Sequence, residues 1–337
     1  LLSQLTDLSQ WKKIVAMTWE ERQRLDRISM KEFRTQKWVE GGIFGDVVAD
    51  DYDRVVNFVN TGEDRLKVPH WQNKLFGAPC QTACPTGIPT QDRINLLRQG
   101  KIKEALELVL NFSPFPASVC GQVCPNLCKD ACSRQFIDLP VAMQELGRLS
   151  QDAAPPAKNA ATGKKVAIIG GGPGGLSAAW QLSLLGHSVT LFEGDREVGG
   201  KLRQAIPMER LPREILDSEV NRIKEMGADI RVSQKIDKTS FDAMQSDYDV
   251  LVIASGAHNP VVIPFPGHER LVKGLDFLKA INNGENPKVG KKVVVIGAGN
   301  AGMDVALGAY AMGAEKVTAI DVQRPAAYQK EIDHFKA

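Results

Sequence analysis

Two stretches of this 337-residue chain share one build, and that build leaves few folds open. The first is VAIIGGGPGGLSAAWQLSLLGHSVTLFE, residues 166–193. The second is KKVVVIGAGNAGMDVALGAYAMGAEKVTAID, residues 291–321. Each reads as an apolar strand, a glycine-rich turn, a helix and a second apolar strand that ends in an acid. YDVLVIASG, residues 248–256, adds a further strand. Continuous apolar strands alternating with helices imply a parallel sheet covered on both faces.

Within the first turn, Gly170, Gly172 and Gly175 stand at G-x-G-x-x-G spacing, with Pro173 and Gly174 completing it. The first glycine allows a tight turn, the second lets a pyrophosphate approach the backbone, and the third lets helix and strand pack closely. Phosphates would then meet the positive end of the helix. Glu193 follows Gly175 by eighteen residues, where a carboxylate can accept hydrogen bonds from ribose hydroxyls. Gly297, Gly299 and Gly302 repeat the spacing around Asn300 and Ala301, and Asp321 ends the second strand. Asp321 suits a free 2′-hydroxyl, as in NAD, whereas Arg324 suits the 2′-phosphate of NADP. The predicted fold class is therefore α/β, with tandem Rossmann-like dinucleotide-binding units. The useful pair of ligands is one nicotinamide and one flavin, because the flavin converts two-electron into one-electron chemistry.

All six cysteines lie between residues 80 and 132: Cys80, Cys84, Cys120, Cys124, Cys128 and Cys132. The last four recur every fourth residue. On one straight helix, the twelve residues from Cys120 to Cys132 would run about 18 Å, too far to wrap a single small metal centre. Pro125 also argues against a continuous helix. The pair in CQTACP must therefore help, so the site is composite. Iron–sulfur ligation and structural zinc are the two chemistries open to such a set. A metal region beside a flavin signature favours iron–sulfur. The five histidines show no metal-ligand spacing.

Charge is nearly balanced, with 42 basic and 40 acidic residues, so nothing favours nucleic acid as a partner. No apolar run reaches membrane-spanning length, and the N-terminus lacks the order of a secretory signal. A cytoplasmic location is expected. Residues 1–70 read as a polar N-terminal helical extension, with Thr18 and Glu21 in capping-box spacing. Residues 71–150 read as an α-helical cysteine-bearing domain, including two amphipathic helices around Gly100. Ala, Pro and Gly mark 151–164 as a linker. A first nucleotide domain spans 165–288 and a second 289–337. LPREILDSEVNRIKEMGADI, residues 211–230, reads as one amphipathic helix.

From about residue 75 onward the chain resembles the small (beta) subunit of glutamate synthase. It also resembles the N-terminal half of dihydropyrimidine dehydrogenase and the large subunit of the electron-bifurcating ferredoxin–NADP transhydrogenase. PCQTACPTGIP, CGQVCPNLCKDAC, VAIIGGGPGGL, FEGDREVGGKLRQAIPMERLP, VLVIASGA and GAGNAGMD carry the resemblance. It implies FAD on the first loop, with Glu193 on its ribose. Gly199, Gly200, Lys201, Leu202 and the Ala254–Ser255–Gly256 turn would line the flavin. It places NAD(P)H on the second loop and [4Fe-4S] chemistry, one cluster or two, among the cysteines. By resemblance, Cys84, Cys124 and Cys128 serve one cluster and Cys80 and Cys132 the other, with Cys120 a substitute ligand. The chain departs from the family in lacking two cysteines near Gln72 and Leu75. A Gln or Glu ligand expected near Gly147 leaves Gln144 and Glu145 as the neighbours.

The function expected is a flavoprotein iron–sulfur subunit that moves electrons between NAD(P)H, FAD and the cluster within a multisubunit redox complex. Other redox subunits are the expected partners, with ferredoxin and electron bifurcation as one form of it. No side chain is expected to act as an acid or base. The alternatives are a glutamate synthase small subunit, and a structural zinc subunit with degenerate nucleotide sites. The family's flavin domain is completed after the nicotinamide domain, so the expectation is that the protein continues past Ala337 or that another chain supplies the rest.

Overall fold

A computed structural model describes residues 78–259 and 264–336. The extension expected over 1–70, with its Thr18–Glu21 capping box, lies outside the described residues.

The cysteine-bearing region is built from short helices: α1 (Pro79–Thr82), α2 (Thr90–Arg98), α3 (Ile102–Glu107), α4 (Leu127–Asp130) and α5 (Met143–Leu149). α2 and α3 are the two helices expected around Gly100. A single widened, π-helical segment, Pro116–Val123, precedes α4. The chain breaks between them as Pro125 demands: Cys124 is extended and Asn126 takes the left-handed conformation, with φ 66°. The four cysteines at fourfold spacing thus never share one helix. Beyond α5, residues 155–164 run without regular structure. They are tied to the next unit by Asn159 N–H to Leu184 O, 2.8 Å, and Thr162 N–H to Gly186 O, 3.0 Å.

The first nucleotide unit alternates β1 (Lys165–Ile169), α6 (Pro173–Leu184), β2 (Ser188–Phe192), α7 (Lys201–Gln204), α8 (Arg213–Glu225), β3 (Asp229–Arg231), α9 (Lys238–Met244) and β4 (Val250–Ile253). Its strands are all parallel, in the order β3-β2-β1-β4. The stretch read as one helix over 211–230 splits. α8 stops at Glu225, Gly227 turns the chain at φ 100°, and Asp229–Arg231 pairs with β2. The second unit holds β5 (Lys292–Ile296), α11 (Asn300–Ala311), β6 (Lys316–Ile320) and α12 (Gln329–Lys336), with β5 and β6 parallel, and α10 (Gly274–Asn282), which lies before the expected boundary at 289, packs into its core through Phe277. β1 and β2 are buried as expected. β4 and the β5–β6 pair are not covered on both faces, and Val250, Ile253, Val294 and Ile296 are exposed. The reason is position: β4 is an edge strand, and among the described residues β5 and β6 pair only with each other.

One apolar core runs through both the cysteine region and the first nucleotide unit. Ile88, Val109, Leu110 and Phe115 pack with Ile168, Leu176, Trp180 and Leu191. Trp180, fully buried, donates its indole N–H to Leu110 O at 2.7 Å. On α8, Leu216, Val220 and Ile223 form the apolar stripe, and Glu219 lies within that stripe, fully buried. Its carboxylate accepts from Ala117 N–H at 2.7 Å, from Ser118 N–H at 3.2 Å and from the Ser118 hydroxyl. It thereby fixes the start of the segment that carries Cys120. A second junction joins the two nucleotide units. Arg210 donates to Asp304 of α11 at 2.5 Å and to Glu331 of α12 at 3.2 Å. Asn282 Nδ2 bonds Arg203 O and Ile206 O at 3.1 and 2.9 Å.

Burial pushes the Glu219 carboxyl up to about 7 from 4.5, against the hydrogen bonds that pull it down. A group whose folded value is raised contributes stability below its unfolded value and loses it as pH rises through the folded one. Chemical denaturation should therefore show a fall in stability from pH 4.5 toward 7 that Glu219→Gln flattens. Glu219→Ala leaves two N–H groups and a hydroxyl unsatisfied and should cost on the order of 2–4 kcal/mol. An unchanged melting temperature for Glu219→Ala would remove this carboxylate from the junction.

Candidate nucleotide and metal sites

The two glycine loops are the same structure built twice. In the first, Gly170 N–H bonds Phe192 O at 2.8 Å, and Gly171 N–H bonds Glu193 Oε2 at 2.7 Å. Asp195 N–H closes on Glu193 Oε1 at 2.8 Å. In the second, Gly297 N–H bonds Ile320 O at 2.8 Å, and Ala298 N–H bonds Asp321 Oδ2 at 2.7 Å. Gln323 N–H closes on Asp321 Oδ1 at 3.2 Å. Each acid thus ties its strand end to the glycine turn beside it. These two backbone donors hold the Asp321 carboxyl below its ordinary value.

Close approach explains the glycines. A Cβ on Gly175 would lie 1.9 Å from Gly170 O, and one on Gly302 would lie 1.9 Å from Gly297 O. At φ 108°, Gly170 has no room either, since its Cβ would lie 2.4 Å from Ala254 O. Gly172 and Gly174 are different. A Cβ on Gly172 would meet only Gly200 Cα, at 4.0 Å, and one on Gly174 would meet nothing within 4 Å. The turn therefore opens onto free space at the N-terminus of α6, a twelve-residue helix begun by Pro173. That cradle and its unpaired helix end fit a pyrophosphate. Gly299 at the head of α11 is equally open.

The expected lining residues surround the first loop. Gly199 N–H bonds Gly171 O at 2.7 Å, so the Gly199–Gly200 turn is strapped to the loop. Lys201 is exposed and Leu202 buried at the start of α7. Ala254 N–H bonds Ile169 O at 2.8 Å, which brings Ala254 and Ser255 alongside Gly170, with exposed Gly256 following. In the second unit, Asn300 Oδ1 accepts from Tyr328 N–H at 2.9 Å, giving it a structural task at the turn before α12. Ala301 and Arg324 are exposed.

The cysteines gather unequally. All six are free thiols. Burial first, then the charges of Cys124, Cys128 and Cys84, push the Cys120 thiol up to about 12, while Arg93 opposes them. Burial and the charges of Cys124, Cys84 and Cys80 push the Cys128 thiol up to about 11. Cys80, Cys84, Cys120, Cys124 and Cys128 therefore lie in one region of the fold, although among the described residues no three His, Cys, Asp or Glu side chains are gathered closely enough to hold a single metal ion. Cys132 is buried. Thiols that hinder one another's ionisation fit a positively charged iron core, which relieves that repulsion and takes thiolates as ligands. Gly147 lies near the place where resemblance puts a Gln or Glu ligand. A Cβ there would sit 2.8 Å from Pro116 O, 2.9 Å from Gly121 N and 3.0 Å from Cys120 Sγ, so the segment bearing Cys120 packs directly against it. Gln144 bonds Asn126 Nδ2 at 2.9 Å, and Glu145 pairs with Arg148 at 2.7 Å.

Sequence reasoning missed Glu219 and Arg93, and it placed Arg210 in a stretch flanking the flavin by resemblance, whereas its guanidinium bonds Asp304 and Glu331. Glu219 and Arg93 sit in helices whose charged residues read as a solvated face, and no local signal marks either as buried.

A parallel sheet with paired phosphate-binding turns beside a cluster of thiols defines a flavin- and nicotinamide-dependent iron–sulfur oxidoreductase. Residues 164–335 match the pyridine nucleotide-disulphide oxidoreductase family, and the chain belongs to that family. Residues 75–159 match dihydropyrimidine dehydrogenase domain II, a 4Fe-4S cluster domain. The cofactors are therefore FAD, NAD(P)H and a 4Fe-4S centre, and the zinc reading of the cysteines is set aside. The chain is 35% identical over 258 residues to the NADPH-Fe(3+) oxidoreductase subunit beta of Geobacter sulfurreducens, covering 72% of this chain and 38% of that one. It is 30% identical over 270 residues to the NAD-dependent dihydropyrimidine dehydrogenase subunit PreT of Escherichia coli, covering 77% and 64%. It is 32% identical over 251 residues to the glutamate synthase [NADPH] small chain of Mycobacterium tuberculosis, covering 67% and 51%. The chain thus spans only part of the length of these curated relatives. Among the described residues, no helix is long and apolar enough to cross a membrane.

The two closed contacts separate the loops by experiment. Gly175→Ala should strip the purified protein of its 450 nm flavin absorbance. Gly302→Ala should keep that absorbance and weaken nucleotide binding at least tenfold by calorimetry. Equal flavin loss from both would show that the loops do not hold separate ligands.

Proposed function

We propose that this chain is the electron-distributing subunit of a multisubunit redox complex, with FAD on the Gly170–Gly175 loop and NADPH on the Gly297–Gly302 loop. The observation that carries it is the duplicated loop, each copy locked by its own acid, in the same packed body as the thiol group. When bound, the nicotinamide and flavin supply hydride chemistry and the iron–sulfur centre supplies one-electron chemistry.

The chain's own residues bind and orient. Gly172, Gly174 and the head of α6 receive the flavin pyrophosphate, and Glu193 anchors its ribose side. Gly199, Gly200 and the Ala254–Ser255 turn close around the same loop. Exposed Arg324 lies three residues beyond Asp321, which supports a 2′-phosphate and hence NADPH. Cys84, Cys120, Cys124 and Cys128 are the proposed cluster ligands, with Cys80 beside them. No side chain is assigned proton transfer.

Partners follow from this reading. Electrons leave to, or arrive from, another redox subunit, and ferredoxin-linked bifurcation is one form of the complex. Cysteines that serve as iron–sulfur ligands must be kept reduced, which supports a reducing, cytoplasmic setting.

Anaerobic purification of the natural full-length protein with its partners tests the assignment. We expect a brown protein containing FAD, iron and acid-labile sulfide that is bleached by NADPH. Cys128→Ala should lose iron and sulfide while flavin remains, and Arg324→Ala should raise KM for NADPH about tenfold with little change for NADH. A colourless zinc protein would overturn the redox reading. Glutamate formation by the purified complex would replace the general reading with that of a glutamate synthase.

A further inference from the structure

The guanidinium of Arg93 is the one fully buried cationic side chain among the described residues, with 0% exposure. It lies in α2, in the cysteine region. Its Nε donates to Ala105 O at 2.8 Å, and its Nη2 to Leu146 O at 3.0 Å and to Ser150 Oγ at 2.9 Å. Its Nη1 is buried without a partner among the described residues. All three acceptors are neutral, and no carboxylate among the described residues lies within ion-pair distance. An unpaired buried charge is costly, and neutral acceptors return only part of what water gave it. A buried cation kept in such a place implies a buried anion beside it.

The geometry shows where that anion belongs. Leu146 and Ser150, which hold Arg93, flank Gly147 at the end of α5. Gly147 abuts Cys120, whose Sγ would touch a Cβ placed there at 3.0 Å. Cys120 is the one titratable neighbour whose charge Arg93 feels. Arg93 and the thiol group therefore meet across the same turn of α5. A four-iron cluster held by thiolates is net negative and gains one more negative charge on reduction. Its potential depends on net charge and on hydrogen bonding around its sulfurs.

We infer that Arg93 is a positioning residue that serves as the fixed, buried counter-charge of the iron–sulfur centre and raises its reduction potential. The inference rests on the proposed ligand set of Cys84, Cys120, Cys124 and Cys128. A buried cation stabilises the more negative reduced state more than the oxidised one, so its removal makes the centre harder to reduce. Without the cluster, the same cation is uncompensated and destabilises the fold.

The test uses the full-length protein purified anaerobically, as wild type, Arg93→Gln, Arg93→Met and Arg93→Lys. Iron, sulfide and flavin are counted first. The cluster midpoint potential then comes from a dye-mediated titration followed by electron paramagnetic resonance. Melting temperatures are measured with the cluster present and after its removal by chelator under reduction. Arg93→Gln and Arg93→Met should shift the midpoint to more negative potential, and Arg93→Lys should restore most of it. Arg93→Met should lower the melting temperature of the loaded protein and leave unchanged or raise that of the stripped one. A purely packing role would lower both. An unmoved potential in iron-replete Arg93→Gln, or equal destabilisation of both forms, would overturn the role. If Arg93→Met does not fold, the Arg93→Gln and Arg93→Lys potentials decide alone. A wild-type protein without iron would fail the ligand assignment itself, an outcome distinct from any result for Arg93.

Discussion

One buried carboxylate holds the cysteine segment against the first nucleotide unit. Glu219 projects from the apolar face of α8 and accepts from the backbone and hydroxyl at the start of the segment bearing Cys120 and Cys124. Trp180 makes the parallel contact from α6 to Leu110. Without these polar links, the shared core would still bury apolar area, but nothing directional would fix how the cysteine segment sits against α6 and α8. Hydrogen bonds contribute modestly to net stability and strongly to geometry, because leaving them unmade in the interior is costly.

The cofactor loops obey a second constraint, which is steric. A carbonyl oxygen at each strand end leaves no space for a Cβ at Gly175 or Gly302. Helix and strand can then approach closely enough for the turn to project free N–H groups. The loops differ in one respect. Ala254, at the end of β4, crowds Gly170, whereas a Cβ on Gly297 would meet nothing within 4 Å. Strand order accounts for this, since β1 has a neighbour on each side and β5 has β6 alone among the described residues.

Charge placement links the parts. Arg210 reaches from the first nucleotide unit to Asp304 and Glu331 of the second, both nearly buried. Burial raises the Asp304 carboxyl, and the Arg210 guanidinium counters it. Among the described residues Arg93 has no such acid, and that contrast makes it informative. The same chemistry, a guanidinium removed from water, is balanced at one junction by two carboxylates and at the other meets only neutral oxygens.

Much of this protein was legible in its sequence. Glycine spacing after an apolar run identifies a strand–turn–helix unit because backbone approach leaves no choice of residue, so both loops and their terminal acids were readable. Pro125 foretold that the four cysteines would not share a helix, since proline cannot continue one. The end of α8 and the start of β3 were not legible, because an amphipathic pattern runs on past Gly227. The burial of Glu219 and Arg93 was hidden for a different reason. A charged residue in a helix carries the same local signature whether it faces water or a neighbouring segment. Only the tertiary structure decided that Glu219 caps residues about a hundred positions away, that the segment bearing Cys120 packs directly against Gly147, and that Arg93 is closed off from solvent. Local spacing determines backbone geometry, whereas the partner of a buried charge is set by segments that meet only on folding.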